Sequence, residues 1–175
     1  MINDPGQTWT YLNDQEVKES KPEYMQNNYY LPMMAVVAVL IFLMKGWGTP
    51  FDMEDAMKAA VSFLAAYFLG LFLANFLVQQ TFVKLLGFPF DKDKLQVFVG
   101  YCMSFLMLVE LFSATFPHIK FLSFTAFYLF YIIWCATDTY FGLAEKLRWR
   151  FTLLTFFEIW LSPLILGGVM SMMTR

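Results

Sequence analysis

Apolar runs of bilayer length decide what this chain can fold into. A helix needs about 20 consecutive apolar residues to cross the hydrocarbon core of a membrane. Five stretches meet that length, 29–47, 57–79, 96–116, 119–140 and 151–173. In lipid every backbone polar group must find its partner inside the protein, so runs this long are read as helices. A soluble core could not absorb them, because 59% of the 175 residues are hydrophobic, 20% are aromatic and only 15% carry charge. The expected fold is an all-α membrane protein, a five-transmembrane helix bundle over 29–175 preceded by a polar segment over 1–28. Within the first run Lys45 interrupts the apolar stretch. A lysine near a helix end carries its ammonium to the headgroups, and Trp47 beside it suits the interfacial belt.

The connections support the count. "GWGTPFDMED" and "LLGFPFDKDK" mix glycine and proline with charges, which breaks helices and calls for water. "FPHIK" is so short that the third and fourth runs are expected to be antiparallel neighbours. Lys18, Lys21, Lys84, Lys92, Lys94, Lys146, Arg148 and Arg150 fall on one side of such a bundle, against Lys45, Lys58, Lys120 and Arg175 on the other. The excess of basic residues puts the N-terminus in the cytoplasm and the C-terminus outside.

The first basic residue is Lys18, and no early apolar region precedes it, so the N-terminal residues do not read as a signal peptide. In "TWTYLNDQEVKESKPEYMQNNYY" Trp9, Leu12 and Glu16 fall along one side of a short helix, and an interfacial helix and a loose polar tail both fit this segment. A net charge of −2 offers no basic face for nucleic acid. Cys102 and Cys135 lie inside apolar runs and read as small hydrophobes rather than a disulfide.

In a bilayer, helices associate through close packing and buried polar contacts. Ser62, Ala66, Gly70 and Ala74 recur at a spacing of four and form one narrow stripe on the second run. Gly100 and Ser104 repeat that spacing on the third, and Gly167, Gly168 and Ser171 lie near the end of the fifth. These faces are expected to pack within one bundle in preference to a dimer. Pro163 removes a backbone donor, predicts a kink and leaves the carbonyl of Ile159 without its helical partner, which Ser162 is placed to supply.

Four polar residues lie in or beside the runs: Asn75, Glu110, Asp138 and Glu158. At about 1.5 Å per residue from the cytoplasmic side, Asp138 falls at the interface, Asn75 at about 6 Å, Glu158 at about 10 Å and Glu110 at about 21 Å. Asn75 and Glu158 are level enough to hydrogen-bond if the second and fifth helices touch. Glu110 lies about 10 Å deeper, beyond direct proton transfer to Glu158. The lone histidine, His118, falls in an outer turn, so no metal, cofactor or nucleophilic site is expected at membrane depth, and no catalytic residue is assigned. Tyr101, Thr125, Tyr128 and Tyr131 supply hydroxyls in neighbouring runs, and both glutamates read first as ties between helices. A small proton-coupled transporter or channel using Glu110 and Glu158 is the alternative.

The order and spacing of "DPGQTWTYL", "YYLPMMAV", "QVFVGYCMS", "FYIIWCATDTYFGLAEKLRWRFT" and "WLSPLILGGV" resemble the bacterial branch of the Yip family. Its eukaryotic members are five-span proteins of the endoplasmic reticulum and Golgi that interact with Rab GTPases. Their long cytoplasmic region and acidic-Gly-Pro-aromatic signature do not precede the first run here, so Rab binding is not carried across. The resemblance implies a non-enzymatic protein of the bacterial inner membrane. Such a protein would be an accessory or scaffold subunit whose partners are the lipid bilayer and other integral membrane proteins or a second copy of itself.

Overall fold

The computed structural model describes residues 4–14, 16–46, 52–87, 91–116 and 125–173, which form helices, turns and short connections with no strand among them. The helices are α1 (Pro5–Leu12), α2 (Pro22–Met25), α3 (Leu31–Gly46), α4 (Met53–Leu86), α5 (Lys92–Thr115), α6 (Tyr128–Thr139) and α7 (Glu145–Met173). Four helical stretches are long and apolar enough to cross a membrane: Pro22–Lys45, Met53–Lys84, Lys92–Thr115 and Glu145–Met172.

These helices outrun the apolar stretches that announce them, because their ends are set by capping. Asp52 accepts from the backbone N–H of Glu54 and Asp55 at the start of α4. Asp91 does the same for Asp93 and Lys94 at the start of α5. Each carboxylate satisfies amides that a helix start leaves open. At the other end of α4, Gly87 takes the left-handed conformation that glycine tolerates without strain, with φ of 60°. The first long helix begins earlier than the apolar run, at Pro22, and passes through a π turn over Gln26–Tyr30 into α3. Pro32 is the second residue after that turn. Its ring would crowd the carbonyl of Asn28 in a regular helix, and the widened turn accommodates it.

Ring contacts and hydrogen bonds fix the directions of the helices. Tyr29 packs on Tyr101 at 5.2 Å near one end of α3 and α5, and Thr115 lies 3.6 Å from the Met44 sulfur near the other, so these two run parallel. Tyr67 with Glu110, and Gly70 beside Met103, make α4 antiparallel to α5. Phe82 on Phe151 at 4.8 Å and Gly70 on Pro163 make α4 antiparallel to α7. α6 runs against both α5 and α7, through Tyr140 on the Lys94 carbonyl, Phe105 on Tyr128, and Phe130 on Trp149. At twelve residues, about 18 Å, α6 is shorter than the 119–140 stretch expected to span. Residues 117–120 of "FPHIK", His118 among them, and Trp47 lie outside the described residues.

α5 is enclosed by the others, with Val97, Phe98, Cys102, Met103 and Met107 fully buried. The N-terminal segment closes one end of the bundle. In α1, Asp4 caps the helix, Pro5 opens it, and Pro5, Trp9 and Leu12 share its buried face. Trp9 is wholly buried, with its indole on Phe98 and Tyr140 and its Nε1–H donating to the Ile132 carbonyl at 3.0 Å. Lys94 Nζ donates to Asn13 Oδ1 at 2.6 Å, and Met25 covers Gly100 so closely that a Cβ there would collide with its sulfur and methyl. This is called the near end below. At the far end α3, α5 and α7 finish and α4 begins.

Candidate functional site

The far half of the bundle contains a cavity of about 740 Å³ between α3, α4, α5 and α7. Its walls follow from the small residues. Ala66 and Gly70 of α4 face α7, where a Cβ on Gly70 would lie 3.5 Å from the Pro163 backbone and one on Gly167 would lie 3.8 Å from the Ala66 Cβ. The two helices touch there. Beyond Gly167 the space around Gly168 is open, and Ser62, Ala66, Gly167 and Gly168 all line the cavity. Ala74, at the inner end of the stripe, is fully buried.

Glu110 opens onto this cavity. Tyr67, from α4, lines the same cavity beside Glu110. Tyr67 is itself held, because it is 3% exposed and its backbone carbonyl accepts from the Tyr30 hydroxyl at 2.8 Å. Of the hydroxyls singled out in the sequence, Tyr101 is engaged elsewhere, donating to the Glu19 carbonyl at 3.4 Å, at the near end. A tyrosine one residue from a small-residue stripe, "AAYFLG", is the local signal that could have named Tyr67.

Glu158 lies elsewhere. Its Oε1 accepts from Thr81 of α4, while Oε2 is buried without a hydrogen-bond partner among the described residues. The hydroxyls of Thr152 and Thr155, six and three residues back along α7, are buried and unpartnered among the described residues in the same way. Tyr67 and Thr81 are fourteen residues apart on α4, about 21 Å along its axis, so the structure does not bring the two glutamates together. Asn75 does not reach Glu158 either. Its amide donates to the Leu71 carbonyl at 2.9 Å, within its own helix.

Asp138 pairs with Arg148, whose Nε also donates to the Leu143 carbonyl at 2.8 Å. This ties the end of α6 to the start of α7. The carbonyl that Pro163 leaves open on Ile159 accepts from the Ser162 hydroxyl at 3.1 Å. Ser104 donates to the Gly100 carbonyl at 2.8 Å. Cys102 and Cys135 are free thiols, and among the described residues no three His, Cys, Asp or Glu side chains converge as a metal site would require.

Chemically, the cavity offers one carboxylate, one lysine and several serine hydroxyls within largely apolar walls, a composition suited to binding. No family model matches the chain, and it matches no curated protein and no solved structure.

Proposed function

We propose that the protein is a non-enzymatic, Yip-like accessory or scaffold subunit of a bacterial inner membrane that works through contacts inside the bilayer. In this reading the chain crosses five times, with its N-terminus in the cytoplasm and its C-terminus outside. The antiparallel run of α6 between α5 and α7 supports the fifth crossing. The observation that carries the proposal is the cavity between α3, α4, α5 and α7, with Glu110 and Tyr67 in its wall. A recess at membrane depth with an acid in its wall gives a membrane-embedded molecule something to recognise besides oil.

A photocrosslinking residue at Gly168, in native membranes, should yield discrete adducts with a membrane protein or lipid. The same residue at Leu154, exposed near the other end of α7, should yield only diffuse labelling. Equal, diffuse labelling at both positions would contradict the proposal.

The second reading is transport through Glu110 and Glu158, favoured by the unpartnered oxygens of Glu158, Thr152 and Thr155. It requires proton flux into liposomes that falls when both glutamates are replaced by glutamine. Absence of flux, or flux unchanged by the replacement, removes it.

A further inference from the structure

We propose that the far-end cavity binds the headgroup of a zwitterionic phospholipid, with its ammonium on Glu110, its phosphate on Lys45 and its acyl chains leaving through the opening beside Leu164. This rests on the reading of the cavity as a site for membrane-embedded molecules, and names the ligand.

The charges make the case first. Lys45, in the last turn of α3, and Glu110, near the end of α5, line the same cavity. Neither forms an ion pair with another described residue. The parallel run of α3 and α5, with Met44 against Thr115, puts the two residues about 9 Å apart along the axis. A headgroup with a phosphate and an ammonium joined by a two-carbon linker bridges that gap, given the reach of both side chains. An anionic lipid would meet Glu110 with like charge, and a cationic one would meet Lys45. A zwitterion satisfies both and brings no net charge into the bilayer.

Ser113 and Ser171 lie close to the far ends of α5 and α7, at headgroup depth, whereas Leu106, Trp160 and Pro163 line the deeper part. Leu164 lines the cavity and is 54% exposed, so the recess opens on the surface that lipid covers. Its volume of about 740 Å³ takes a headgroup and part of a chain, and lies in the range of about 300–1,000 Å³ usual for ligand pockets.

The test is native mass spectrometry of the full chain, delipidated in detergent and exposed in turn to phosphatidylethanolamine and phosphatidylglycerol. The wild-type protein should retain phosphatidylethanolamine about tenfold better, the scale of one charge-assisted hydrogen bond. Glu110→Gln should abolish that preference, and Glu54→Gln, in a surface ion pair with Lys58, should keep it. Gly168→Trp fills the cavity where the structure has room for a side chain, and should lower retention of phosphatidylethanolamine even if Glu110→Gln fails to fold. Equal retention of the two lipids by the wild type, or a preference that survives Gly168→Trp, would overturn the proposal. In the crosslinking experiment at Gly168, an adduct with protein alone would sink the lipid assignment and leave the accessory reading standing. No discrete adduct of either kind would sink both.

Discussion

Thr152 and Trp9 are both buried polar side chains, and their substitutions should move stability in opposite directions. The Thr152 hydroxyl has no hydrogen-bond partner among the described residues. Thr152→Val keeps the shape and removes an oxygen that was desolvated for nothing, so it should leave stability unchanged or raise it by about 1 kcal/mol. A drop of that size in thermal unfolding in micelles would mean that the hydroxyl is bonded after all, to a water for example. The Trp9 indole N–H donates to Ile132, and Trp9→Phe should lower stability by about 1 kcal/mol in the same assay. At this scale the chain was legible where a local rule applies. Proline at 163 opens the carbonyl four residues back, and Ser162 sits where a hydroxyl can reach it. Glu110 was legible as a residue needing a polar neighbour, but Tyr67 beside it was not, because that proximity depends on how α4 packs on α5.

The helices follow their apolar runs, and their ends follow the caps. Hydropathy falls off before the helix does, since residues 80–86 and 53–56 continue α4 toward the headgroups. The signals for those ends, Asp52, Asp91 and Gly87, are short and local. The docking of α1 was the least readable element. Three apolar residues, Pro5, Trp9 and Leu12, fit a membrane surface as well as a bundle, and only the receiving groove between α5 and α6 decides. The chain after α1 is held at Gly100, where Met25 occupies the space a Cβ would need. Gly100→Ala should therefore loosen the N-terminal segment, at a cost of about 1–3 kcal/mol for overpacking. Hydrogen exchange of α1 and α2 should rise, and Met25→Ala in the same chain should restore part of the protection. Additive losses in the double variant would show that the two residues do not share that space.

Across the whole molecule, an all-helical membrane bundle could be read from the five runs, and four helices of spanning length are present. The cavity could not be read. Ser62, Ala66, Gly167 and Gly168 mark close approach in sequence, yet the helices touch at Ala66, Gly70, Pro163 and Gly167 and leave room at Gly168. Where two small-residue faces stop touching depends on how α7 lies across α4 and on what flanks it. The account stands on the cavity opening toward the membrane face opposite the N-terminal segment. The most direct test replaces Cys102 and Cys135 with serine, puts a single cysteine at Thr10 or Met172, both exposed, and treats intact cells with a membrane-impermeant thiol reagent. The account predicts labelling at position 172 in intact cells and at position 10 only after lysis; labelling of both positions from the same side would contradict it.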